Sequence, residues 1–168
     1  MTQDELYLQA VVEFGSALER LGRAYEADAD QRRDLLQDIH FAIWQSFASF
    51  NGQCSSRTWV YRVAHNTAIS ARLRRRKHVL VNLEDVNEAP APENPESAAG
   101  HALALIRLQK LIRRLAPPDD QVMLLYLEDI DAATIGEITG LSSGAVATRI
   151  HRIKALLSRQ FLQGDVDE

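Results

Sequence analysis

Val79 to Gly100 carries three prolines (Pro90, Pro92, Pro95), five carboxylates (Glu84, Asp85, Glu88, Glu93, Glu96) and neither Lys nor Arg, in a chain of 168 residues with net charge -4. A stretch of this kind buries too little apolar surface to offset the entropy of ordering it, and it reads as a flexible acidic linker or partly ordered strap. Everything else has to fold on one side of it or the other. The chain therefore divides into modules at residues 1–78 and 101–168, each able to bury only a modest core.

Upstream of the linker, apolar residues recur at helical spacing. Thr2 to Glu5 fits a capping box, and Leu6, Ala10, Phe14, Leu18, Leu21 and Tyr25 mark one stripe of a helix running to about Ala27. Gly15 and Gly22 weaken that helix without ending it, and Asp28 to Asp30 form the turn. A second helix spans about Gln31 to Phe47 and buries Leu35, Leu36, Ile39, Ala42, Ile43 and Phe47. Gln37, Asp38, Phe41 and Gln45 fall toward its other side, with Trp44 at the border. Aromatics on a polar face mark a partner surface unless they are core.

A Gly-containing loop, Phe50 to Ser56, leads into a third helix that Ser55 or Ser56 caps and that runs through Lys77. Arg57, Arg62, Arg72, Arg74, Arg75, Arg76 and Lys77 give it about +7 with no acid, against -5 over residues 1–50. So sharp a polarity predicts a face for a polyanion. The block at its end suits phosphates, which Lys and Arg neutralise without reading sequence. Trp59, Tyr61, Arg62 and Asn66 suit unpaired bases, which stack on rings and hydrogen-bond to an amide. On composition alone, a solvated basic helix end with an aromatic core anchor fits as well.

Beyond the linker, His101 to Leu115 is a strongly apolar helix that stops before Pro117-Pro118. Asp119 or Asp120 opens the next helix, Asp131 caps a short one over Ala132 to Thr139, and a last helix spans about Gly144 to Gln163. Short helix, Gly turn, basic helix, with Ile135, Ile138, Leu141, Val146 and Ile150 as the apolar joint, is the pattern of a helix-turn-helix. Gly136 falls where two such helices cross. The expected fold is all-α, since Val79-Leu-Val81 is the only strand-like run.

Several function classes are excluded. A lone cysteine, Cys54, rules out an internal disulfide and a Cys-rich zinc site, and His40, His65, His78, His101 and His151 are too scattered to pair as metal ligands. Neither a phosphate-cradling glycine loop nor a nucleophile elbow is present, so no catalytic residue, metal or cofactor is expected. No apolar run is long enough to span a membrane and the N-terminus is acidic, which predicts a cytoplasmic protein with no membrane insertion. Cys54 is read as a small polar filler rather than a redox switch.

Asp34 to Trp44, with Phe50 and Trp59 to Asn66, resembles region two of the extracytoplasmic-function group of bacterial RNA polymerase sigma factors. Leu127 to Arg152 is similar to region four of the same group. The two occur in the family's order, around a linker of the expected kind.

The resemblance implies a region-two-like three-helix domain at 1–78 and a region-four-like helix-turn-helix domain at 101–168. It implies that core RNA polymerase, through its beta-prime and beta subunits, is a partner, with beta-prime held by Asp34, Gln37, Asp38, Phe41 and Trp44. Capture of flipped minus-ten bases would fall to the loop residues Asn51, Gln53 and Ser55 and to Trp59, Arg62 and Asn66, with Arg74 and Arg75 on phosphates. For the minus-35 element of promoter DNA it implies Ser142, Ser143, Ala145 and Thr148 against base edges and Arg149, Arg152 and Lys154 on phosphates. Ala147 departs from the cation common in the family, which shifts readout toward DNA shape. The linker carboxylates would run through the RNA exit region, and an anti-sigma protein is the expected regulator.

Two other readings stay open at this point. One is a free-standing helix-turn-helix regulator, dimeric on a palindromic site; the other is a sigma-like polymerase-binding regulator that reads no promoter.

Overall fold

The computed structural model describes residues 1–78 and 97–163, and every regular element among them is an α-helix. In order these are α1 (Gln3–Tyr25), α2 (Ala29–Ser46), α3 (Ser56–His78), α4 (Ala98–Arg113), α5 (Asp119–Leu127), α6 (Ala132–Thr139) and α7 (Ser143–Gln163). The strand-like run at Val79 and the linker carboxylates lie outside the described residues.

Local hydrogen bonds explain where the helices start. The Glu5 N–H donates to Thr2 Oγ1 at 3.2 Å and the Thr2 N–H to Glu5 Oε2 at 2.7 Å, which completes the capping box. The Thr2 backbone N–H, with the Thr2 hydroxyl beside it, holds the Glu5 carboxyl below its ordinary range. Asp28 accepts from the Gln31 N–H at 2.9 Å, so α2 begins at Ala29, two residues earlier than its apolar pattern suggests. Ser97 accepts from the Gly100 N–H at 2.9 Å, and α4 therefore starts at Ala98, inside the stretch expected to be linker.

Two compact units divide the chain, one holding α1, α2 and α3, the other α4, α5 and α7. In the first, each helix packs on the other two around Phe14, Leu18, Leu35, Ile39, Ile43, Val60 and Ala64. Fully burying one such large aliphatic side chain is worth about 1.5–3 kcal/mol. Gly22 does more than weaken α1: a Cβ there would lie 2.9 Å from Leu36 Cδ2, so the Leu36 side chain would have to shift to make room for it. At the centre Tyr25 is hydrogen-bonded through its hydroxyl to His65 Nδ1 at 2.9 Å, and Tyr61 stacks on the same imidazole at 6.4 Å. His65 is 1% exposed, and burial pushes its pKa down to about 3.

In the second unit α4, α5 and α7 meet at Ile112, Met123, Ile153 and Leu157, with Leu108, Leu111 and Leu115 packed around them. Of the expected apolar joint, Ile135 and Val146 are buried in this unit, and Leu141 and Ile150 are half-buried. The turn into α7 rests on Gly140, whose φ of 81° an L side chain adopts only with strain.

Candidate nucleic-acid and partner interfaces

Three surfaces gather the residues singled out from the sequence. The first is the outer face of α2, where Asp34, Gln37, Asp38, Phe41 and Trp44 are all exposed and Leu35, Ile39 and Ile43 turn into the bundle. Phe41, 56% exposed, stacks on Trp44 with centroids 6.1 Å apart. The start of α1 holds this pair in place: Trp44 Nε1 donates to Asp4 Oδ1 and Gln3 Nε2 to the Trp44 carbonyl, both at 2.8 Å. An ordered aromatic pair edged by carboxylates suits a partner offering apolar and cationic groups together.

The second surface is the loop before α3 and that helix's outer side. Asn51, Gln53 and Asn66 are exposed. Ser55 is the α3 cap, accepting from the Thr58 N–H at 3.1 Å, and its exposed hydroxyl lies 2.9 Å from Thr58 Oγ1. Trp59 is half-buried: its Nε1 donates to Ser46 Oγ at 2.9 Å and its ring lies 5.2 Å from that of Phe50. Trp59 thus braces the loop as well as lining it. Cys54 and Arg62 are half-buried, and Arg74 is exposed. Arg75 is ion-paired with Glu26 and donates to the Gln31 carbonyl at 3.4 Å, so much of its charge is met within the fold.

The third surface is the start of α7. Asp131 caps α6 by accepting from the Thr134 N–H and hydroxyl at 2.9 and 3.0 Å, which also holds its own pKa down. Ser142 caps α7 through the Ala145 N–H at 3.1 Å, and the Thr148 hydroxyl donates to the Gly144 carbonyl at 3.0 Å. Ser142, Ser143, Ala147 and Thr148 are exposed and Ala145 is half-buried. His151, one turn beyond Ala147, is exposed as well and escapes a reading that looks for Arg and Lys.

All three α7 cations expected on phosphates lean back onto α5. Arg149 Nη1 is 2.7 Å from Asp119 Oδ1, Arg152 Nη2 is 2.8 Å from Asp119 Oδ2, and Lys154 Nζ donates to the Tyr126 hydroxyl at 3.2 Å. Neither Asp119 nor Tyr126 stands out in the sequence as a site residue, because each partner is about thirty positions away. Among the described residues, no group of three or more His, Cys, Asp or Glu is placed to hold a metal, and no helix is long and apolar enough to cross a membrane.

Comparison with known proteins accounts for both halves. Residues 10–78 match the family model for sigma-70 region 2, and residues 105–157 match that for sigma-70, region 4. The chain is 27% identical over 140 residues to the RNA polymerase sigma factor YlaC of Bacillus subtilis, covering 81% of this chain and 80% of YlaC. It is 28% identical over 165 residues to the sigma factor CnrH of Cupriavidus metallidurans, covering 89% and 83%. Among solved structures, the sigma factor RpoE in complex with the anti-sigma factor NepR from Bartonella quintana superposes with a TM-score of 0.71 at 20% identity, covering 99% of this chain and 100% of that one. CnrH in complex with the cytosolic domain of CnrY gives 0.67 at 22%, covering 96% and 89%.

Proposed function

We propose how the residues of this chain, a promoter-directing initiation factor of the extracytoplasmic-function group of RNA polymerase sigma factors, divide that work. Residues 1–78 dock on core polymerase through Asp34, Gln37, Asp38, Phe41 and Trp44 and open the minus-ten element. Residues 98–168 read the minus-35 element, and residues 79–97 join the two as an acidic linker. The protein has no catalytic activity of its own and works in the cytoplasm.

In the minus-ten surface, Asn51, Gln53 and Asn66 receive unstacked bases and Arg74 takes a phosphate. Trp59 contributes the ring edge that its bond to Ser46 leaves accessible. At minus-35, Ser143 and Thr148 stand at base edges, while Arg149 and Arg152 take phosphates with the N–H groups not directed at Asp119. An anti-sigma protein, such as NepR or CnrY in the similar structures, is the regulator. Exposed Leu105, Ile106, Leu127 and Leu162 on the second unit support that docking.

One observation carries the docking assignment: five side chains of α2 stay out of the bundle on a single face, with a stacked aromatic pair among them. Phe41→Ala is expected to weaken binding to core polymerase at least tenfold, as an interface anchor does, and to leave the melting temperature nearly unchanged because the ring is exposed. Undiminished core affinity in that variant would remove α2 from the docking surface.

A further inference from the structure

We propose that Asp119 is a specificity-determining residue: it holds Arg149 and Arg152 against indiscriminate phosphate binding, so that the helix-turn-helix favours its cognate element over other DNA. The inference rests on the reading of α7 as the minus-35 ligand.

One carboxylate serves two guanidinium groups on successive turns of α7, with one oxygen on each at 2.7 and 2.8 Å. The Asp119 side chain is 18% exposed, those of Arg149 and Arg152 32% and 62%, so the acid sits beneath the arginines rather than beside them. Asp119 opens α5, which packs on α7, and this anchors the acid while the arginines extend past it. The three groups together carry about one positive charge instead of two. A phosphate arriving in an arbitrary register meets that reduced field and finds one N–H group of each arginine already engaged by Asp119. A cognate site adds base-edge contacts from the start of α7, and these offset the cost of sharing the arginines. The carboxylate also fixes both planar forks, which lowers the ordering entropy of a correctly spaced pair of phosphates.

The test is salt-dependent binding of holoenzyme, assembled from core polymerase and the full chain, to a mapped promoter fragment and to the same fragment with its minus-35 region scrambled. Asp119→Asn keeps the side chain's shape and removes its charge. It is expected to tighten binding to the scrambled fragment roughly three- to tenfold at low salt, steepen that fragment's salt slope by up to about one, and lower the ratio between fragments. Asp119→Glu restores the carboxylate and should recover the ratio. An unchanged ratio in Asp119→Asn, or proportionate weakening on both fragments, means that Asp119 is only a brace and overturns the proposal. Arg149→Ala separates the two layers: if it leaves binding to both fragments unaltered, the reading of α7 has failed along with the proposal. If Arg149→Ala weakens binding and Asp119→Asn alters nothing, only the role of Asp119 has failed.

Discussion

Arg149 reaches from α7 to α5 and sets its Nη1 2.7 Å from Oδ1 of Asp119. This proposed phosphate ligand is thus already oriented by the protein's own acid. Because the pair is partly exposed, its worth to folding is small, about 0–1 kcal/mol. Arg149→Ala should therefore cost little stability. It should weaken minus-35 binding about equally on every sequence and reduce the salt slope by about one, as measured by fluorescence anisotropy over a salt series.

Asn66 is exposed on α3, one turn beyond Arg62. Asn66→Ala is expected to leave both folding and core binding intact, since surface substitutions usually shift stability by less than about 0.5 kcal/mol. Strand opening should suffer instead, with fewer permanganate-reactive thymines in the minus-ten region. A footprint identical to that of the unaltered protein would take Asn66 out of the melting surface.

His65 makes the first unit acid-sensitive. Buried neutral among Tyr25 and Tyr61, it titrates at about 3 when folded but near its ordinary value of 6.5 when unfolded. The unfolded chain therefore binds the extra proton first, and the stabilisation is fully present above pH 6.5 and is lost as pH falls toward 3. The slope is about 1.4 kcal/mol per pH unit in the middle of that window. Urea midpoints between pH 7 and pH 4 should fall steeply for the natural chain and less steeply for His65→Asn; parallel pH profiles would contradict this.

How much of this was legible in the sequence depends on the reach of each interaction. The basic helix runs over Ser56–His78 as its cap and uninterrupted periodicity predict, because capping and helical spacing are decided within one turn. The start of α4 lies three residues before the one its apolar pattern predicts, for a local reason: Ser97 is a cap that the proline-rich composition around it conceals. The site residues fared unevenly. The exposed face of α2 follows from periodicity, but the bonds of Trp59 to Ser46, Arg75 to Glu26, and Arg149 and Arg152 to Asp119 do not. Each joins residues brought together only by packing, and composition carries no trace of which acid meets which base. His65 is a similar case, since a histidine between Ala64 and Asn66 gives no sign of lying at the centre of three packed helices.

The central claim is that this chain sends core polymerase to promoters of its own. It is tested most directly by in vitro transcription of a fragmented genomic library from the source bacterium, with core polymerase in the presence and absence of the protein, and by mapping the transcript starts. The account predicts new starts that appear only with the protein and share two spaced upstream elements. Core binding without new starts, or no core binding at all, would contradict it.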